Sequence, residues 1–475
     1  YMSLLLLVVY AGILALTARR RWHLRPAYLF LTLVVTAEML TNAGATLRTL
    51  NANEYYTAHD DYVDNEITEA WRDAVDETKR IGDAAAAGDF YRMEFLPRRT
   101  TVDPALYNYR GLTVFASSNP YNTVKFMGDM GYAINGVNSY LYHSFVAPID
   151  SLMGLKYVVL ENPLSSHRQL QQIGSTTTGG TSRYIYENPY ALPLGYMVKS
   201  SIKQWLPTEY NPIASQNTLF SKLTGNSDET YTIHPVSVAA DSIGIASVSE
   251  NVENGVNTSF SLTGDGDMVA HFTVTVPQAG QAFIYVDCRA AESLSASCNG
   301  ESWSITTYEP YLIDAGDLKT GDEVEITVTA KQSCIGNIYV ASLNEDVFKQ
   351  NIRQLADGGM KVSSLSDSRI EATVDAKEDG VLMTTMTYDE GWTIKVDGKE
   401  VESISSQMLS AADTGTIGMA EALLAFDVPA GQHTITMTFF PKGLKLGLVI
   451  SFISLAGLIA LVVFQRRRRR AETAA

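Results

Sequence analysis

Glu38 and Asn42 stand four residues apart within a long apolar run, so they share one helical face. An ionisable side chain inside a membrane is costly to hold and marks a polar cavity or a partner helix. Two uses are open for the pair. It faces a polar cavity near the outer leaflet, where it would reach a phosphate only through a bridging group, since a carboxylate does not bind phosphate directly without a cation. Or it makes an interhelical hydrogen bond.

A second set is polar and aromatic: Tyr107, Tyr109, Ser117, Ser118 and Asn119. Sugars and polyol phosphates suit such a surface, because ring faces cover C–H groups while amides and hydroxyls bind hydroxyls. Asn135, Asn138, Tyr140 and Tyr142 have the same chemistry. The plainer reading of both stretches is a strand and turn with partly buried tyrosines. Asp60, Asp61, Asp64 and Glu66 have the hard oxygens a divalent cation takes, but not the spacing of an EF-hand. A solvated acidic helix start is the simpler account, and no metal site is expected. Gly264-Asp-Gly-Asp267 reads as a turn. Trp392 is either a sugar platform or a sandwich-core residue. The seven His are scattered, and HExxH, GxSxG, P-loop and CxxC patterns are absent. Hydrolase, NTPase and zinc readings have no positive support.

The elements that position these residues begin with three apolar runs: Met2 to Leu16, Pro26 to Thr46 and Gly443 to Phe464. A run of about 20 residues spans a hydrocarbon core about 30 Å thick at roughly 1.5 Å per residue. Arg19, Arg20, Arg21 and Arg25 lie between the first two runs, and Arg466 to Arg470 follow the third. Short basic loops stay cytoplasmic. Both clusters are therefore expected on the cytoplasmic side of a bacterial cell membrane, with residues 47–442 extracellular and the chain multi-pass. Lys445 can snorkel to the outer interface. Tyr1 is not an initiator Met, and positive charge follows the first run rather than preceding it. The chain thus reads as a fragment of a longer polytopic protein, with a cleaved signal peptide as the competing reading.

Of 36 Lys+Arg, nine belong to the two clusters and Lys445 to a span; of 52 Asp+Glu, Glu38 is in a span and Glu472 in the tail. The external part therefore carries 26 basic and 50 acidic groups, near −24, although the chain is −16. That charge keeps a large domain soluble and disfavours nucleic acid. Cys288, Cys298 and Cys334 all fall outside; a Cys288–Cys298 bridge is open, but three is odd and the domain is large.

The external part exceeds one typical domain. Ile67, Ala70, Trp71 and Val75 recur at helical spacing, Tyr91–Phe95 and Leu155–Leu160 read as strands, and residues 51–230 form an α/β region. Beyond, strands dominate, separated by turn pairs such as Asn299-Gly300 and Asp397-Gly398. A repeat runs through them. Cys298-Asn-Gly-Glu301 matches Val396-Asp-Gly-Lys399 at a shift of 98, and Asp317–Gly321 with its following strand matches Asp427–Gly431 at a shift of 110. The second copy therefore carries about twelve extra residues, placed within Ser403–Ala420. The expected fold is membrane α-helical plus an extracellular α/β region and two tandem antiparallel β-sandwich, jelly-roll-like modules. Its segments are helices 1–18 and 26–46, the α/β region 51–230, sandwiches 231–345 and 346–442, helix 443–464 and the Arg-rich tail 465–475.

Several stretches, in order, resemble the C-terminal portion of the YfhO family: Tyr107-Asn-Tyr-Arg-Gly-Leu-Thr-Val-Phe-Ala-Ser-Ser118, Asp150-Ser-Leu-Met-Gly-Leu-Lys-Tyr-Val-Val159, Tyr388-Asp-Glu-Gly-Trp392 with Val396-Asp-Gly-Lys399, and Phe426-Asp-Val-Pro-Ala-Gly-Gln-His433. The Glu38–Asn42 pair fits as well. The resemblance implies a GT-C-like membrane glycosyltransferase. It would take a sugar from a polyprenyl-phosphate carrier, with no other cofactor, and transfer it to a teichoic-acid-type acceptor, chiefly lipoteichoic acid. Partners would be the lipid-linked sugar, that polymer and membrane lipids. The resemblance places the family's catalytic carboxylate in its first external loop, so the catalytic residues, unknown here, are expected N-terminal to Tyr1. The alternative is a non-catalytic, membrane-anchored glycan-binding or scaffolding ectodomain; a polymer-exporter subunit is a third option.

Overall fold

The computed structural model describes residues 2–19, 24–53, 65–86, 90–164, 167–239, 242–243, 245–251, 256–404 and 417–474. Arg20, Arg21, Asp60, Asp61, Asp64 and most of Ser403–Ala420 lie outside the described residues. The chain divides into two units, Tyr1–Glu69 and Ala70–Ala475.

In the first unit, the helices Met2–Ala18 and Leu24–Asn53 pack side by side. Their apolar side chains point outward: Leu29, Leu33, Met39, Leu40 and Leu47 are exposed, whereas Ile13 and Ala27 are buried between the helices. Helices covered by apolar side chains on their outside are suited to lipid. Thr17, Thr32, Thr41 and Thr49 each return their hydroxyl to the carbonyl four residues back, which removes an unpaired donor from an apolar surrounding. By length and composition Arg25–Leu50 (26 residues) can cross a membrane, as can Leu444–Arg468 (25 residues) in the second unit; Leu6–Ala18 is apolar but shorter.

The second unit starts with a mixed sheet. Strand Arg92–Leu96 runs parallel to Leu155–Leu160, which pairs antiparallel with Thr181–Glu187, itself paired with Gln171–Thr178. The helix Glu66–Ala86 covers this sheet with Trp71, Ala74 and Val75 at spacings of three and four. Trp71 stacks on Phe95 with centroids 4.3 Å apart, and the Arg183 guanidinium lies 4.2 Å from its ring centroid. Ile67, expected on the same stripe, is exposed.

Beyond residue 230 the repeat is visible in strand pairing. In the first half, Ile245–Asn251, Val256–Thr275, Glu323–Leu343, Ser293–Cys298 and Glu301–Ile305 pair in that order. In the second, Lys361–Ser366, Arg369–Ala376, Gly431–Phe439, Trp392–Val396 and Lys399–Val401 repeat it. Gly280–Asp287 with Ile313–Leu318 likewise corresponds to Gly380–Thr387 with Leu423–Val428. Both hairpin turns hold positive φ at their two central residues, Asn299 (50°) with Gly300 (85°) and Asp397 (50°) with Gly398 (78°). That conformation matches the twist of the flanking strands and favours Asn-Gly and Asp-Gly.

The halves differ in one strand. The 21-residue Glu323–Leu343 is long enough to pair also with Gly280–Asp287. Its nine-residue counterpart, Gly431–Phe439, is not. Strand Gly195–Val198, from the α/β region, takes the vacant edge beside Gly380–Thr387. That three-stranded sheet is therefore buried on both faces. Leu382, Leu424 and Phe426 meet Ile370, Val374 and Ile435 of the opposite sheet, while Val381, Met383, Leu423 and Ala425 join the large core of the α/β region. Gly264-Asp-Gly-Asp267, expected as a turn, lies inside the 20-residue strand Val256–Thr275. The ladder register shifts there twice, so the segment is a bulge that bends a strand too long to stay flat.

Candidate functional site

In the first unit, the Tyr10 hydroxyl donates to the Glu38 carboxylate, a bond between the two helices. Asn42 is exposed on the following turn.

The polar and aromatic stretch divides. Tyr107 and Tyr109 are 4% and 9% exposed and stand beside Phe95 in the core beneath the helix. Arg99 Nη1 donates to the Tyr107 hydroxyl at 2.7 Å, and the Tyr109 hydroxyl donates to Glu94 at 3.1 Å. These rings are core, not a surface open to a sugar, because the helix that buries Trp71 also closes over them. Ser117 and Ser118 are exposed and Asn119 half-buried. Their loop docks on the turn at Asn135–Asn138: Asn119 Nδ2 donates to the Asn138 carbonyl at 3.3 Å, and Asn135 Oδ1 accepts the backbone N–H groups of Val137, Asn138 and Ser139. Tyr142 is buried against Asp150, and Trp392 is half-buried against Phe439.

The loop leads straight into the rim of a groove of about 780 Å³. One wall belongs to the α/β region. The helix Tyr121–Asp129 presents Tyr121 and Lys125, four residues apart and so on one face. Tyr210 stands beside them. Tyr121 and Tyr210 are each 54% exposed. Tyr210 has φ 56°, the left-handed region that a bulky side chain seldom occupies. The cause is local. Asn211 precedes Pro212, which keeps it out of the helical region (φ −132°, ψ 85°), and its Oδ1 caps the helix Pro212–Thr224 by accepting from Ala214 N at 3.0 Å. The chain must reverse one residue earlier.

The other wall is a sheet face. Ser259 and Ser261 alternate along one strand, Ser247 pairs opposite Ser261, and Asn337 pairs opposite Ser259. Ser247 and Ser261 hydroxyls lie 2.7 Å apart, and Ser259 donates to Asn337 Oδ1 at 2.8 Å. Gly336 is required here: a Cβ would stand 2.6 Å from the Asp287 carbonyl. Two charges flank the groove. Lys125 pairs with Asp129 at 2.9 Å, and Arg289 lies 3.8 Å from Asp287, whose carboxyl burial raises. Two open ring faces, several hydroxyls, an amide and two cations can hold a polyol or sugar.

Ser117–Asn119 and Asn135–Asn138 thus adjoin a groove whose working residues, Tyr121, Tyr210, Ser247, Ser259, Ser261 and Asn337, have no shared sequence signal. Among the described residues, no group of three or more His, Cys, Asp or Glu side chains is placed to hold a metal. All three Cys are free and buried, and Cys288 neighbours Cys334 rather than Cys298; burial pushes the Cys288 thiol up to about 12.

A family model described as bacterial membrane protein YfhO matches residues 1–451. A relative described as the uncharacterized protein YfhO of Bacillus subtilis (strain 168) is 25% identical over 134 residues, 28% of this chain and 14% of that protein. The match thus spans far less than two thirds of the relative's length. Among solved structures, a family 11 carbohydrate-binding module from Clostridium thermocellum aligns at 12% identity and TM-score 0.17, over 24% of this chain and 88% of that one. The arabinofuranosyltransferase AftD from Mycobacteria aligns at 9% identity and TM-score 0.14, over 60% of this chain and 26% of that one. At those scores neither carries an argument.

Proposed function

The chain belongs to the YfhO family of bacterial membrane proteins, and from that membership we propose that it is part of a GT-C-type membrane glycosyltransferase. The enzyme moves a sugar from a polyprenyl-phosphate carrier to a cell-surface polymer of the teichoic-acid type, such as lipoteichoic acid. In this reading the Arg clusters face the cytoplasm, the protein is multi-pass, and residues 47–442 lie outside as an α/β region followed by two jelly-roll-like sandwiches. The ectodomain holds the acceptor in the groove between Tyr121, Tyr210 and the serine-lined sheet face. Glu38, bonded to Tyr10, orders the helix pair.

The observation that carries the reading is the groove itself. Exposed ring faces beside hydroxyl and amide groups are the surface a glycan needs, and Tyr121 and Tyr210 present theirs together at one groove. The second reading, a membrane-anchored glycan-binding or scaffolding module, uses the same groove without catalysis.

One experiment separates them. Deleting the gene should remove a sugar substituent from the surface polymer, and restoring it with Tyr121→Ala/Tyr210→Ala should leave that substituent strongly reduced. Unchanged glycosylation on deletion overturns the enzyme reading. Loss on deletion with full rescue by the double variant removes the groove from it.

A further inference from the structure

A second pocket, of about 500 Å³, opens past the C-terminal ends of Arg92–Leu96 and Leu155–Leu160. These strands are parallel neighbours, and ligands of α/β sheets seat at that end. Leu96 and Leu160 form apolar walls, and Arg98, His143, Glu161 and Asn162 supply the polar ones. Arg98 Nε donates to His143 Nε2 at 3.2 Å. Burial, aided by the neighbouring guanidinium, lowers His143 to about 4, so the ring is neutral and accepts that bond. The ring stacks on Tyr311 with centroids 4.6 Å apart. The guanidinium is thus fixed by one edge. Among the described residues Arg98 has no carboxylate partner within ion-pair distance. Glu161 does not supply one, since its carboxylate is paired with Arg183 at 3.1 Å.

We propose that this pocket binds a phosphodiester, with the Arg98 fork on the two non-ester oxygens and the apolar walls against the ester carbons. A planar guanidinium matches two phosphate oxygens in a way an ammonium does not. One uncompensated positive charge matches a monoanion. A doubly charged phosphate monoester would face Glu161 with a charge left over. The volume exceeds what a bare ion needs and fits a phosphate substituted on both sides. The site stands apart from the groove residues and holds whether or not that groove takes a glycan. A phosphodiester reaches it either from a polymer or from a lipid headgroup.

The test titrates the full detergent-solubilised chain with glycerophosphoglycerol, inorganic phosphate and acetate by calorimetry. Binding of the diester, at least about tenfold tighter than of acetate or inorganic phosphate, is expected. Arg98→Gln should weaken it by roughly tenfold or more, the loss of a charged hydrogen-bonded pair. Arg98→Lys should recover only part, because the fork is gone. Asn162→Asp, at an exposed position where folding is undisturbed, should abolish binding by repulsion. A short-chain phosphatidylglycerol that competes far more tightly than the soluble diester marks a lipid source, and equal competition marks the diester alone. Absence of diester binding, acetate binding as tightly, or binding unchanged in both Arg98→Gln and Asn162→Asp overturns the proposal.

Discussion

Arg92 Nη1 donates to Thr385 Oγ1 at 2.7 Å, and Nη2 donates to the Thr385 carbonyl at 2.8 Å. Nη1 also reaches the Met153 carbonyl at 2.6 Å. One guanidinium therefore ties the first strand of the α/β region to a strand 293 residues later, in the second strand-rich half. Arg92→Met should cost about 2–4 kcal/mol, because two carbonyls lose their donor away from water. Arg92→Lys should cost less, keeping charge and some donors. Thermal unfolding of the solubilised chain reads both; a change under about 0.5 kcal/mol for Arg92→Met would discount the tie.

Glu94 and Asp150 are enclosed carboxyls, and burial raises each to about 7 despite the hydrogen bonds that oppose the rise. Glu94 accepts from Leu112 N at 2.5 Å and Thr113 N at 2.6 Å, and Asp150 from the Tyr132 hydroxyl at 2.5 Å. In the unfolded chain both ionise near pH 4. The folded state therefore keeps protons that the unfolded state has lost. Stability is full below about pH 4 and falls as pH rises through 7. His143, lowered to about 4, and His234, which burial also lowers, act in the opposite direction, mainly below about pH 6.5. Above that the two carboxyls outweigh them. From pH 6.5 to 8 the chain should lose roughly 1 kcal/mol per carboxyl, and Glu94→Gln should remove its share of the slope. Stability that rises over that window contradicts the assignment.

Tyr210 is held at positive φ and exposed. Tyr210→Gly relieves the backbone and removes the ring. Stability should stay level or rise by up to about 1 kcal/mol, while affinity for a glycan, on the proposed reading of the groove, falls. A loss in both, measured on the same preparation, would show the ring to be structural.

Tyr10→Phe removes the donor to Glu38 and leaves the carboxylate alone in an apolar helix pair. The expected cost is about 1–2 kcal/mol, read as detergent-dependent loss of folded protein. Glu38→Gln, which keeps a hydrogen-bonding partner, should be milder. If sugar transfer falls with Glu38→Gln while stability holds, the carboxylate acts beyond helix pairing.

Asn299 and Asp397 sit at the same position of two repeated hairpins, and each anchors the start of the strand that follows its half's Gly-closed turn. Asn299 Nδ2 donates to Asp322 at 2.7 Å, and Asp397 Oδ2 lies 2.7 Å from His433 Nδ1. Asn299→Ala should cost about 1–2 kcal/mol, from both the left-handed backbone and the lost bond, and Asn299→Gly clearly less. Equal costs for the two would remove the backbone from the account.

What could be read without coordinates was what a short segment decides by itself. Leu24–Asn53 and Leu444–Ala474 are helices because each is built on an apolar run of about 20 residues. Asn299-Gly300 and Asp397-Gly398 are hairpin turns because few residue pairs tolerate two successive positive φ values. The repeat was legible because its turns mark equal places in two copies, and the pairing order follows them. Glu38 and Asn42 share a face by arithmetic alone.

Contacts between distant segments were not legible. Tyr107 and Tyr109 have the composition of a sugar-facing surface, yet the helix Glu66–Ala86 buries them. Gly264-Asp-Gly-Asp267 has turn residues, yet its flanking strands continue through it and make it a bulge. Gly195–Val198 joins a sheet of the second half because a nine-residue strand leaves an edge that a 21-residue strand fills in the first. The groove draws Tyr121, Tyr210, Ser259 and Asn337 from segments with no common period. The reason is physical. Helix runs, charge clusters and turn dihedrals are set by neighbours a few residues away, so the sequence determined them directly. Burial, edge pairing and the facing walls of a site depend on which surfaces meet after the chain has closed, and only the tertiary structure decided those.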